Sequence, residues 1–344
     1  MKLKTIPCIL NYFQFTLQPE WGISVMKIPP TVTVSCVMLL ILAARTSVGE
    51  VGFVQRENRI DVMINGARAT TYVYSPELTK PVLYPVLTLS GIVVTRGYPF
   101  EEIEGESRDH PHHTGLFFTY DEVNDNRFWA VTVPPPQIKH IKVTDMKGGR
   151  DKGTLAVVLN WVSTNGKTLL EEKRTMVFYS GVHDYAIDFS MMLTAVDTAV
   201  VFKDTKEGMF AIRVASWLQE KDGTGAYLSS RDEKTANNIW GHRDEWVRLD
   251  GEKDGRKVGI AILNHPSSTN FPTFWHARDY GLFSANPLGQ SVFEAGTGVE
   301  NPKPYNLTLQ QGKSALFRFL MIIYEGPRTK TDLDQKFKEY SKQK

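Results

Sequence analysis

The chain has 344 residues, 42% hydrophobic and 23% charged, a globular composition that suits one large domain or two small ones. Its 40 basic and 38 acidic residues are mixed along the length and leave a net charge of +2, so the clustered lysine and arginine of a nucleic-acid footprint are missing. Both cysteines, Cys8 and Cys36, fall before residue 50, which leaves the body without a disulfide, a thiolate metal site or a cysteine nucleophile.

In chain order, the first feature is a leader. From Met26 the sequence reads MKIPPTVTVSCVMLLILAARTSVGE: a positive start at Lys27, an apolar core over Val32 to Ala44, and small residues at Ser47 and Gly49 before Glu50. The apolar run is short for a membrane span. Membrane contact is therefore expected only through this leader, if it stays uncleaved. Residues 1–25 read as an upstream extension, because the second methionine opens the better signal. The expectation is an extension and signal peptide over 1–49, then a single domain over 50–344, exported to the periplasm or beyond.

The body reads as strands. Ile60, Val62 and Ile64 alternate with polar neighbours, Asn65-Gly66 is a hairpin turn, and Arg68 to Tyr74 returns. Pro81 to Arg96 holds two apolar runs broken by Pro85, and Leu116 to Phe118 is a short apolar run. Ile138 to Met146, Leu155 to Val162 and Thr168 to Tyr179 form a meander with Gly148-Gly149 and Asn165-Gly166 at the turns. His183 to Leu193, Thr198 to Lys203, Phe210 to Leu218, Tyr227 to Ser229, Trp246 to Leu249, Val258 to Leu263 and Leu316 to Tyr324 continue the pattern. One helix is legible: Thr331 caps Asp332 to Tyr340, with Leu333, Phe337 and Tyr340 on one face. About fifteen strands point to an all-β fold, a large two-sheet antiparallel β-sandwich with a short C-terminal helix.

Against that background, Glu106 to Trp129 stands out. Three of the chain's eight histidines, His110, His112 and His113, follow Asp109 directly. Imidazoles are costly to bury unpaired, so the cluster asks for water, a carboxylate, a metal or a substrate. If the segment is extended, His110 and His112 point one way and His113 the other. Further on, Lys206 and Glu207 precede Arg213, a combination that offers a base and a charge clamp or, equally, a solvated turn. Trp240, before Gly241, suits a sugar-stacking wall or simple packing. In the segment Phe274 to Gly281, His276, Arg278 and Tyr280 share a face if extended, so arginine would neutralise a carboxylate while tyrosine or histidine moves a proton. An Arg278–Asp279 pair beside a satisfied histidine reads the same letters blandly.

Several of these stretches together resemble the PmoA-like family of bacterial proteins, labelled "methane oxygenase PmoA". They are Lys80-Pro81, Asp109-His110-Pro111-His112-His113-x-Gly115-Leu116, Val123-Asn124 with Phe128-Trp129, Asp204 to Gly208 with Arg213, Trp240-Gly241, His265-Pro266 and Trp275-His276-x-Arg278-Asp279-Tyr280-Gly281. Thr114 and Asp125 depart from the pattern, which more often carries arginine and glycine there. The body has none of the apolar spans that a membrane oxygenase subunit needs. The resemblance instead implies a galactose-mutarotase-like sandwich with a sugar site in a concave sheet.

Three functions stay open. The first is a carbohydrate-active lyase, hydrolase or epimerase on a sugar or uronic-acid-containing glycan. In it His112 or His113 works with His276 or Tyr280, Glu207 is a second base, Lys206, Arg213 and Arg278 hold oxygens, and Trp240 stacks. The second sets Asp109, His110, His112 and His276 around a divalent metal (copper, zinc or non-haem iron). The third is a glycan-binding module without turnover.

Overall fold

The computed structural model describes residues 49–129 and 136–344. The leader, with Cys8, Cys36 and the signal pattern, lies outside them. The front sheet runs from edge to edge through Phe274–Ala277, Leu282–Asn286, Gly208–Arg213, Leu116–Tyr120, Val82–Val86, Ala67–Val73, Arg59–Ile64, Glu50–Arg56 and Gly149–Arg150. The back sheet runs through Ala226–Ser229, Trp246–Lys253, Arg256–Asn264, Ser314–Glu325, Asp184–Ala195, Thr168–Ser180, Lys152–Val162 and Gln137–Lys147. A small third sheet joins Leu307–Leu309, Val200–Phe202, Glu122–Val123 and Asn126–Arg127. This is the large two-sheet antiparallel sandwich that the strand pattern predicts.

Local chemistry sets the turns. Asn65 and Gly66 both take positive φ, 54° and 80°, and bring Ile64 opposite Ala67. Alternation then sets the faces. Leu116, Phe118, Phe210, Ile212, Trp275 and Phe283 turn inward, into the core shared with Met176, Phe178, Phe317 and Phe319 of the back sheet. Phe210 stacks on Phe319 across the two sheets at 4.9 Å and 4°. The intervening Phe117, Ala211 and Leu282 point the other way and form a smaller cluster with Val82, Tyr84 and Trp129. Arg213, His276 and Ser284 alternate with inward-facing neighbours and share this outward face.

The back sheet's outer face is covered. Helix Lys330–Tyr340 lays Leu333, Phe337 and Tyr340 on Trp246, Ala261, Leu263, Leu320 and Ile322. The outward face of the front sheet is where polar side chains gather.

Some expectations need correcting. The C-terminal helix is capped by Thr329, not Thr331, in a capping box with Asp332. The run Phe210 to Leu218 stays a strand only to Arg213, and a 3₁₀ turn follows over Ser216–Leu218. Strand Leu282–Asn286 is buried on both faces and so lacks the polar alternation that marks a strand in sequence. Strand Glu50–Arg56 and helices Ala236–Ile239 and Gln290–Gly296 were also not foreseen.

Candidate active site

The histidine segment is a turn, not an extended stretch. The His113 N–H donates to the His110 carbonyl at 2.9 Å, and His110 sits at φ 42°. Gly115 follows at φ 60°, where a Cβ would lie 2.5 Å from the Leu83 carbonyl oxygen, so only glycine fits. Arg96, wholly buried, holds the turn from beneath. Its guanidinium donates to the carbonyls of Asp109 (2.8 Å), His110 (3.0 Å) and His113 (3.1 Å) and to Asp109 Oδ1 (2.7 Å). The three rings therefore converge instead of splitting across two faces. His110 lies parallel between His113 (4.8 Å, 3°) and Tyr280 (5.3 Å, 5°), while His112 meets His113 edge-on at 4.4 Å.

A second segment, Lys203 to Gly208, is clamped to the sheet. Tyr120 OH donates to the Lys203 carbonyl (2.7 Å), Asn286 Nδ2 to the Thr205 carbonyl (2.9 Å) and Ser284 Oγ to the Gly208 carbonyl (2.7 Å). This fixes the adjacent Lys206–Glu207 ion pair. The third segment is strand Phe274–Ala277 and the turn after it, closed by Gly281 N–H to the Arg278 carbonyl (3.0 Å), with Gly281 at φ 92°. Together these segments, with Arg127 and Trp129, line one cleft of about 390 Å³, walled by His110, His112, His113, Arg127, Trp129, Lys206, Glu207, His276, Arg278 and Tyr280. A larger hollow, about 650 Å³, lies at Thr224, Arg248, Asp250 and Arg328, but its arginines are spent on Asp250 and Asp184.

The environment sorts the titratable groups. Burial and the charges of Lys80, His110, Arg96 and Arg213 push the His112 pKa down to about 4. Burial, then the neighbouring His112 and Arg213, drive His113 far lower, so both rings are neutral. His276 is buried, and its pKa is pushed to about 3 by burial and by Arg278 and Lys206. Its Nδ1–H donates to the Lys206 carbonyl (3.0 Å), and Nε2 accepts from Arg278 Nε (3.1 Å). Burial raises the Tyr280 pKa against the pull of Arg278 and Arg213, so the phenol keeps its proton. Burial would raise Asp109 too, but hydrogen bonds from Ser107 and His110 and the charge of Arg213 hold it at about 2.

Eight residues singled out from sequence thus meet in one hollow: His110, His112, His113, Lys206, Glu207, His276, Arg278 and Tyr280. Three do not line it. Arg213 lies buried behind the histidine turn, donating to Asp109 Oδ1 (2.9 Å) beneath the Tyr280 ring (4.7 Å), so it braces the site and is no substrate clamp. Trp240 stands behind Arg278, whose guanidinium lies 5.4 Å from the indole, instead of forming a stacking wall. Asp109 is consumed by Arg96, Arg213, Ser107 and His110.

The metal set proposed from sequence does not assemble. Both nitrogens of His276 and the oxygens of Asp109 already have partners, and no three His, Cys, Asp or Glu among the described residues are placed to hold an ion. His276 as a proton carrier needs the same correction, because both its nitrogens are engaged.

Sequence reasoning missed Arg127, Trp129, Arg96 and Lys80. Lys80 is buried, donates to the His112 carbonyl at 3.0 Å, and has its pKa lowered to about 7 by burial. A lysine at the head of the apolar run that starts at Pro81 was the available signal.

A sequence profile described as "Family of unknown function (DUF6807)" matches residues 59–338. No curated protein matches the chain. Among solved structures, the GH36 α-galactosidase AgaB of Geobacillus stearothermophilus aligns at 10% identity and TM-score 0.39, over 80% of this chain and 41% of that one. This chain therefore spans less than half the length of that enzyme. The Slr1438 protein of Synechocystis sp. PCC 6803 aligns at 12% identity and TM-score 0.31, over 81% of this chain and 96% of that one. A galactose mutarotase related enzyme of Lactobacillus acidophilus aligns at 10% identity and TM-score 0.27, over 81% and 98%. Likeness this remote carries no chemistry, which has to come from the cleft itself.

Proposed function

The chain belongs to the DUF6807 family, whose description assigns no activity, and from that starting point we propose, on the cleft alone, that it is a carbohydrate-active enzyme working by acid–base chemistry. One observation carries this reading. A carboxylate (Glu207), a protonated phenol (Tyr280), a neutral imidazole (His112) and an arginine (Arg278), drawn from three distant segments, line a single hollow. Tyr280 keeps its proton and is the donor to a departing or ring oxygen. Glu207 is the base, with the neutral His112 within the same cleft as a second acceptor. Trp129, on the cleft wall, supplies an aromatic side chain of the kind that sugar C–H faces pack against. Lyase, hydrolase and epimerase all draw on such a pair. The leader pattern supports export as part of the same reading.

The test is turnover of a panel of neutral and uronic-acid-containing oligosaccharides, followed by NMR for cleavage, unsaturation and epimerisation. Glu207→Gln and Tyr280→Phe are each expected to lower kcat by about 10²–10⁴ while KM changes little. Turnover unchanged in both variants refutes the assignment. Glycan binding with no turnover by the parent protein makes it a binding module.

A further inference from the structure

Building on the reading of this cleft as the sugar site, we infer that the sugar it takes carries an oxyanion substituent, a carboxylate or a sulfate ester, seated on the guanidinium of Arg278. Three cations, Arg127, Lys206 and Arg278, line the cleft against one carboxylate, Glu207. Of the four histidines in the cleft, His112, His113 and His276 are held neutral and add nothing to that balance, and His110 is engaged with Asp109 at 2.7 Å. Two of the cations are answered inside the protein: Lys206 pairs with Glu207, and Arg127 with the buried Asp121 at 3.1 Å.

Arg278 is not. No carboxylate among the described residues pairs with it, and its sequence neighbour Asp279 does not fold back onto it. Among the described residues its only hydrogen-bonded side-chain partner is the buried, neutral His276, which accepts from Nε at 3.1 Å. The Trp240 indole lies 5.4 Å away. A guanidinium steered through Nε keeps both terminal nitrogens for a ligand, and that pair matches two oxygens of one anion. A half-buried cation without a counter-ion is costly, and the cost is recovered when an anionic ligand docks. The buried His276 thus ties Arg278 to the Lys206 backbone and holds the guanidinium at the cleft wall.

The experiment is ligand-observed NMR titration of the full chain with D-glucuronate, D-glucose 6-sulfate and D-glucose at fixed ionic strength. At least one of the two oxyanion sugars is expected to bind about tenfold or more tightly than glucose, and which one does so identifies the group. The preference should fall as salt is raised, vanish in Arg278→Gln and be only partly kept in Arg278→Lys. Equal affinity for the three sugars, absence of binding by all three, or a preference that survives Arg278→Gln overturns the inference. The parent-protein comparison decides the matter even if a variant fails to fold. An oxyanion preference without turnover of any glycan leaves this inference standing while the enzymatic reading falls. Turnover of neutral glycans with no such preference does the reverse.

Discussion

At His276 the Nδ1–H is given to the Lys206 carbonyl and Nε2 takes the Arg278 Nε–H, so an added proton would break one bond and set two cations side by side. Its folded pKa is about 3, against an ordinary 6.5. Between those values the unfolded chain binds a proton that the folded chain refuses. The stability this group contributes is therefore intact above about pH 6.5 and is lost as pH falls toward 3, at about 1.4 kcal/mol per pH unit. His276→Gln can keep a donor and an acceptor but cannot titrate. Urea unfolding of parent and variant from pH 7 to pH 4 should show a shallower acid decline in the variant, with parallel curves as the contrary result. The same residue separates positioning from catalysis: if it moved protons, the Gln variant would lose the acid limb of any pH–rate profile.

Among elements, the turn from Ser107 to His113 depends most on a single side chain. Arg96 supplies hydrogen bonds to four of its carbonyls, those of Ser107, Asp109, His110 and His113, and to the Asp109 carboxylate, all from a wholly buried position. Arg96→Met removes the donor from the Ser107, Asp109 and His113 carbonyls, while Asp109 Oδ1 keeps Ser107 and Arg213 and the His110 carbonyl keeps the His113 N–H. We expect it to cost about 3–5 kcal/mol in chemical denaturation, as breaking a buried charged network does. Sugar affinity should fall with it, because the His113–His110–Tyr280 stack rests on the turn. Arg96→Lys keeps the charge but not the fork, so recovery of stability without recovery of affinity would mark the geometry as the critical part. Full affinity in the Met variant would show that the turn holds itself.

For the molecule as a whole, the core and the cleft lie on opposite faces of the front sheet. Phe210 and Phe319 join the two sheets through the interior, while Ala211 and Arg213 on the same strand face outward. Phe319→Ala is expected to destabilise the fold by about 3–5 kcal/mol through a cavity, lowering Tm. Well below that Tm, binding to the cleft should be unchanged. A shifted Kd at low temperature would instead mean that core packing reaches the site through the sheet.

The all-β sandwich and most of the candidate site were legible in the sequence because both rest on local signals: two-residue alternation, Asn-Gly turns and a dense histidine cluster. The chain also named eight of the cleft residues, since polar side chains in strand-rich segments are costly unless used. Direction and partnership were not legible. The C-terminal helix offers Thr329 before Asp332 and Thr331 before Asp334, two equivalent boxes by spacing. Only the fold decides between them, because Asp334 is occupied by Trp246 Nε1 and Lys330. Likewise Arg213 and Arg278 look alike as letters, yet one is buried beneath Asp109 and the other lines the cleft. Spacing along the chain governs which residues a strand or turn can display. Which of them reach a common hollow, and which are used up bracing it, depends on contacts between segments far apart in sequence, and those exist only once the sheets have packed.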